Sequence, residues 1–137
     1  MKRLPDTTNA LLLRTDFSDA ASWDALCAAV REPQGEFRAY VDFVSDPGFD
    51  GLTTEQLVAL PPGSYRSFMF VADQMALSHP DHPILVVDLS DEPGRTFRVI
   101  PSEIWSVENN LSLANLDFRD FAESVDQDGV FRGFPMS

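Results

Sequence analysis

The first third of the chain places a strand pattern, a helix pattern and a second strand pattern in succession, and this order constrains the fold most. Residues 10–13 form an uninterrupted apolar run, which is typical of a strand buried on both faces. Ser18 and Asp19 can cap the segment that follows, where apolar residues recur with helical spacing at Trp23, Leu26, Cys27 and Val30. Residues 37–44 mix apolar alternation with aromatic and β-branched residues and predict a second strand. Such a unit predicts parallel strands joined by a right-handed crossover.

The remaining patterns add strands and short helices. Thr53 and Gln56 have the spacing of a capping box and predict a helix to Leu60, ended by prolines and a glycine at 61–63. Three further strand-like runs lie at residues 67–72, 84–89 and 96–100. A tight turn at Gly94 joins the last two, which predicts an antiparallel hairpin. Residues 117–125 predict a final helix, and residues 102–115 fit either a helix or an edge strand.

Together these patterns predict an α/β fold in a single globular domain over residues 1–137, with residues 1–9 as a polar leader. We expect a layered sandwich with a mixed sheet of about five strands and three to four helices. The chain has 137 residues, of which 44% are hydrophobic, and this is enough apolar material for a substantial core.

The net charge of −12 makes general binding to nucleic acids or anionic membranes a poor fit, because both need a basic surface. An acidic surface could instead attract a basic protein partner, or it could serve only to keep the protein dissolved. The single cysteine, Cys27, suits a reducing compartment, and the N-terminus has no apolar segment typical of a signal peptide. We therefore expect a cytoplasmic protein.

Four aspartates follow or end predicted strands and raise the hypothesis of a metal site; they are Asp16, Asp46, Asp73 and Asp88. If these strands were parallel, their carboxyl ends would gather the four side chains on one edge of the sheet. Such a group would suit Mg²⁺ and could serve a small hydrolase or phosphotransferase. The competing interpretation is that these aspartates only cap helices and turns, as Asp often does.

Other chemical motifs are sparse. His79 and His82 lie three residues apart in a proline-rich segment, which favours a solvated loop over a metal-binding pair. Cys27 belongs to the apolar stripe of the first helix, which favours an inert buried thiol. The sequence contains no nucleophile elbow, dinucleotide-binding glycine motif or phosphate-binding loop motif. No catalytic residue is therefore assigned.

A polar cluster surrounds Trp105 and includes Glu108, Asn109 and Asn110. Consecutive asparagines are typical of turns and caps, whereas a half-exposed tryptophan is typical of a protein interface. The candidate binding residues on the surface are Asp16, Asp19, Trp105, Glu108 and Asp117. We expect a non-enzymatic interaction domain without a cofactor that binds a basic protein, and a homodimer that shares its site between subunits is a further possibility.

Two resemblances add to this interpretation. Residues 11–23, 105–112 and 115–118 resemble a family of small actinobacterial domains of unknown function, and that likeness extends over nearly the whole chain. It implies a bacterial cytosolic protein and carries no activity. The C-terminal half, from residue 84 to the helix that begins near Asp117, is similar to SMI1/KNR4-type immunity domains, although Asp117 stands where that pattern has serine. This likeness implies a regulatory or antitoxin-like binding domain.

Overall fold

A computed structural model describes residues 3–61 and 66–134. The predicted terminator at residues 62 and 63, the first two residues of the predicted leader and residues 135–137 of the predicted domain lie outside these ranges. Within them, six strands form one sheet; they are β1 (Ala10–Arg14), β2 (Val41–Val44), β3 (Phe68–Ala72), β4 (Ile84–Asp88), β5 (Thr96–Val99) and β6 (Val130–Phe131). The described helices are α1 (Ala20–Arg31), α2 (Thr54–Ala59), α3 (Gln74–Ser78), α4 (Ile104–Ser112) and α5 (Phe118–Ala122).

The strand order is β2-β1-β3-β4-β5-β6, and the sheet is mixed, as predicted. β1 pairs in parallel with both β2 and β3. β4 is antiparallel to β3 and to β5, so the predicted hairpin is confirmed. β6 runs parallel to β5. The described part of the chain thus confirms the α/β fold, with six strands instead of about five and five helices instead of three to four.

Helix α1 forms where the apolar spacing predicted it. Asp19 is the N-cap, and its carboxylate accepts hydrogen bonds from the backbone N–H groups of Ala21 and Ser22 at 3.0 and 3.4 Å. The buried residues of the helix are Trp23, Leu26, Cys27 and Val30, as expected from their spacing.

The sheet separates two apolar cores. On one face α1, α3, α4 and α5 cover a large core that contains Leu12, Phe70 and Phe121. On the other face a smaller core contains Leu11 and Leu13 and is covered by Leu4, Phe49 and Leu57. Leu4 belongs to the predicted polar leader, yet it is 2% exposed and its backbone N–H donates to the carbonyl of Pro61.

Several element boundaries differ from the sequence predictions. The second strand spans only Val41–Val44, because Phe37 forms a tight antiparallel bridge with Gln34 instead of joining the sheet. The ambiguous residues 102–115 contain a 3₁₀ turn, Pro101–Glu103, followed by α4. Helix α3 and strand β6 were not predicted, and the final helix is shorter than residues 117–125. Every helix in the described ranges lacks the length and apolar character needed to cross a bilayer.

Candidate functional site

A cleft opens at the carboxyl ends of β1 and β3, the two parallel strands at which the chain order of the sheet reverses. Open α/β sheets often bind ligands in a crevice outside the carboxyl ends of their strands, at the point where the strand order reverses. The cleft has a volume of about 400 Å³. The lining side chains that matter for its chemistry are Thr15, Asp16, Asp50, Asp73, Met75 and Arg98.

Asp73 forms one wall of this cleft and has two roles. Its carboxylate accepts from the backbone N–H of Ala76 at 3.1 Å, which caps the unpredicted helix α3. It also accepts from both terminal nitrogens of the Arg98 guanidinium, at 3.0 and 2.7 Å. Arg98 donates in addition to the carbonyl of Pro83 at 2.9 Å. The arginine is therefore already occupied by protein acceptors.

Two of the other three aspartates predicted for this edge stabilise loops. Asp16 accepts from the backbone N–H and the hydroxyl of Ser18, each at 3.1 Å. Asp46 accepts from the backbone N–H of Gly48 at 2.9 Å and caps a 3₁₀ turn. Asp16 follows β1 and Asp46 follows β2, and both strands are parallel to β3. Asp16, Asp46 and Asp73 therefore lie at the same edge of the sheet.

The prediction is wrong for Asp88. Because β4 is antiparallel to β3, Asp88 pairs with Phe68 at the beginning of β3 and lies at the opposite edge of the sheet. It is 2% exposed and accepts from the backbone N–H groups of Ser90 and Glu92 at 2.9 and 3.0 Å. Among the described residues, no group of three or more His, Cys, Asp or Glu side chains is arranged to hold a metal ion.

A second feature is a set of aromatic rings, two of them exposed and Trp105 half-buried, which we call the aromatic surface and define as Phe37, Tyr40 and Trp105. Phe37 stacks on Trp105 with ring centroids 4.3 Å apart and an interplanar angle of 10°. Phe37 is 54% exposed and Tyr40 55% exposed. Two backbone hydrogen bonds between Gln34 and Phe37, at 2.7 and 3.0 Å, close the turn that presents Phe37. The exposed ring of Phe37 is thus held against Trp105, and the exposed ring of Tyr40 has the Arg38 guanidinium carbon 5.1 Å from its centroid.

Glu108 was predicted to be a surface binding residue, and the structure corrects this. It is 7% exposed, and its carboxylate accepts from the backbone N–H of Tyr40 at 2.9 Å and from the hydroxyl of Ser112 at 2.8 Å. A buried carboxylate needs such partners to offset its loss of hydration. Glu108 therefore positions the aromatic surface from beneath and is not available to a partner.

The other predicted binding residues occupy separate places. Asp19 and Asp117 are exposed at the starts of α1 and α5, and hydrogen bonds from the Ser22 hydroxyl and backbone N–H lower the pKa of Asp19. Asp117 shares a groove with Asp88 at the edge opposite Asp16. The structure therefore does not bring the five predicted residues into one site.

The histidines and the cysteine fit their structural interpretations. Nδ1 of His79 accepts from the backbone N–H of Asp81 at 3.1 Å, and a ring nitrogen of His82 lies 2.9 Å from the carbonyl oxygen of Ala76. Both histidines thus have loop-building contacts. Cys27 is 5% exposed, and burial raises the pKa of its thiol to about 11.

Sequence reasoning missed Thr15, Asp50 and Arg98 in the cleft and assigned Phe37 and Tyr40 to a strand. A charged residue at position 98, inside an otherwise apolar strand pattern, was the one available signal for Arg98. The family model of a domain of unknown function, DUF6924, matches residues 9–134. No curated protein matches the chain.

Proposed function

The chain belongs to the DUF6924 family, and we propose that it is a non-enzymatic interaction domain that binds a basic protein partner. The observation that carries this proposal is the rigid, exposed aromatic surface. Aromatic residues dominate the binding energy of many protein interfaces because they bury a large area on contact. In a monomer, a ring that is more than half exposed has little of its surface buried, so it contributes little to the stability of the fold.

The aromatic surface is ordered before any partner arrives. The turn at Gln34 holds Phe37 from one side, and the flat contact with Trp105 holds its ring from the other. Glu108 fixes the backbone of Tyr40. A surface already held in its bound shape avoids the cost of ordering side chains and loops on association, so a larger share of the contact energy appears as affinity.

The charge of the chain supports a basic partner. With a net charge of −12, the protein attracts positively charged surfaces over the range of the Debye length and repels acidic ones. Asp16, Asp19 and Asp117 form no ion pair within the described residues, and the last two are exposed. They lie in separate places, and each remains a candidate for a single charged contact with a basic partner.

The alternative role, a metal-dependent hydrolase or phosphotransferase, depended on four aspartates at one edge. Since Asp88 lies at the opposite edge, we favour the interaction domain. An immunity-like or regulatory role in the bacterial cytoplasm belongs to the same proposal, and the resemblance of the C-terminal half to SMI1/KNR4-type domains supports it.

Affinity capture from a lysate of the source organism tests the proposal. The tagged chain should retain a near-stoichiometric basic protein at low salt and lose most of it at high salt. The double variant Phe37→Ala, Tyr40→Ala should retain much less of that protein. Leu113→Ala removes another exposed apolar side chain, outside the aromatic surface, and serves as the matched control.

Three results would overturn the proposal. They are a lane that contains only the bait, a captured protein that is acidic, and equal capture by the wild type and the double variant. Circular dichroism of each variant confirms that the fold is intact, so that a loss of capture reports on the surface alone.

A further inference from the structure

Thr15 is a largely buried polar residue whose hydroxyl has no hydrogen-bond partner among the described residues. It lines the cleft after β1 and is only 5% exposed. Its backbone N–H donates to the carbonyl of Ala72, and its own carbonyl accepts from Gly51. Its hydroxyl, however, makes no hydrogen bond to any residue that the structure describes. The hydroxyl is not among the fully enclosed polar atoms that lack a partner, so it keeps contact with solvent and has an open position for a hydrogen bond from a group bound in the cleft.

The charge of the cleft favours a cation. Asp16, Asp50 and Asp73 contribute carboxylates to the lining, and Arg98 is the basic residue among the described lining residues. Arg98 is fully engaged with Asp73 and Pro83. The exposed Asp50 carboxylate makes no ion pair or hydrogen bond with the described residues. Two carboxylates therefore remain without a neutralising charge in the lining.

The size and the walls of the cleft favour an organic cation over a metal ion. Its volume is about 400 Å³, and Leu52 and Met75 add apolar surface beside the carboxylates. Met75 is 52% exposed, so its side chain can cover an alkyl chain without rearrangement of the core. The absence of a metal-holding group of side chains among the described residues agrees with this choice.

We propose that the cleft between the ends of β1 and β3 binds an ammonium or guanidinium group carried on an alkyl stem. The Thr15 hydroxyl and the carboxylates of Asp16 and Asp50 accept its N–H groups, while Leu52 and Met75 contact the stem. A lysine or arginine side chain of a protein partner and a free alkylamine share this chemistry. The inference does not rest on the aromatic surface, so the two proposals can fail separately.

The test is an NMR titration of the ¹⁵N-labelled full chain with Nα-acetyl-lysine amide, Nα-acetyl-arginine amide and butylamine. Butanol, which has the same alkyl stem and no charge, is the control ligand. A cation should produce saturable shifts of the Thr15, Gly51 and Gln74 amide signals, and butanol should not. Tighter binding of the capped amino acids identifies a partner side chain as the source, and tighter binding of butylamine identifies a free amine.

Variants assign the binding to these residues. Asp50→Asn and Thr15→Val should each weaken binding by about tenfold, the usual loss when a hydrogen bond to a charged group is removed. Thr15→Ser keeps the hydroxyl and should bind as the wild type does, which guards against a folding effect of the Thr15 change. Asp91→Asn removes the same charge at the opposite edge and should leave the affinity unchanged.

The inference is overturned if no cation gives saturable shifts, if butanol binds equally well, or if Asp91→Asn weakens binding as much as Asp50→Asn. If no cation binds in the titration but affinity capture still depends on Phe37, this inference fails and the proposed function stands. If cations bind in the cleft but capture does not depend on Phe37, the cleft remains a cation site and the aromatic surface has no role in protein binding.

Discussion

Arg98 on β5 binds both carboxylate oxygens of Asp73, the residue that directly follows β3, at 3.0 and 2.7 Å. Since β4 lies between these two strands, the ion pair reaches across β4 at the edge of the sheet where the cleft opens. Both side chains are largely shielded from solvent, with exposures of 17% and 27%. The pair thus joins the antiparallel and parallel halves of the sheet and fixes one wall of the cleft.

Breaking this pair should destabilise the fold measurably. In a double-mutant cycle of Arg98→Met and Asp73→Asn, we expect a coupling energy of about 1.5–3 kcal/mol, because the hydrogen bonds are charge-assisted and partly shielded. Urea unfolding measures it. The exposed pair of Arg95 and Glu92, with a 2.7 Å contact, is the control and should give less than about 1 kcal/mol. Equal coupling in the two pairs would contradict the expected effect of burial.

The aromatic cluster around Phe121 should dominate the stability of the larger core. Phe121 is fully buried and contacts the rings of Phe97, Phe131 and Phe134. Phe121→Ala should lower the free energy of unfolding by about 3–5 kcal/mol, through lost burial and the cavity left behind. Phe37→Ala, at an exposed ring, should cost only about 0.5–1.5 kcal/mol. Similar losses in thermal or urea unfolding of the two variants would contradict this assignment of the core.

The thiol of Cys27 should be unreactive in the native protein. It is buried, and its pKa is raised to about 11, so the reactive thiolate is scarce at neutral pH. We expect very slow labelling by a disulfide reagent in buffer and complete labelling in urea. Cys27→Ser, which removes the one cysteine of the chain, is the blank. Rapid labelling without denaturant would show that α1 opens readily or that the thiol is accessible.

Asp42 should make the stability depend on pH. Hydrogen bonds from the backbone and side chain of Asn9 and from the backbone of Thr8 lower the pKa of its carboxyl. A lowered folded-state pKa means that the contribution of Asp42 is present above the unfolded pKa, about 3.9, and is lost as pH falls through the folded value. Asp42→Ala should therefore cost about 1 kcal/mol near neutral pH, as the loss of a cap does. The difference from the wild type should shrink in acid, and urea midpoints that differ equally at both pH values would contradict this.

Local patterns predicted the elements whose determinants lie close together in sequence. The spacing of Trp23 and its neighbours was enough for α1, and the turn at Gly94 was enough for the hairpin of β4 and β5. Helix α3 was missed because it has five residues, too few for a periodic pattern, and depends on its Asp73 cap. Strand β6 has two residues and exists through its pairing with β5, which no local signal records.

The candidate sites were predictable only in part, for the same reason. That Asp16 and Asp73 share an edge followed from parallel strands, but Arg98 reaches that edge from a strand whose direction depends on two antiparallel pairings. Glu108 has a polar neighbourhood in sequence and was expected on the surface. The cost of its burial is offset by a hydrogen bond from the backbone N–H of Tyr40, which is distant along the chain. Long-range partners of this kind leave no trace in spacing or composition.

The position of β1 between β2 and β3 has a consequence for the order of folding. Strands β3, β4 and β5 follow one another as antiparallel neighbours, so they can associate by closing short loops, whereas β1 must join β2 and β3 across long stretches of chain. Loop-closure entropy favours the short-range pairings early and delays the insertion of β1. We therefore expect Val86→Ala to slow refolding in a stopped-flow measurement and Leu12→Ala mainly to speed unfolding. The opposite partition would mean that the parallel half of the sheet is the nucleus. On the expected order, the cleft forms only when β1 joins β3, so a ligand that binds there would stabilise the sheet only after that step.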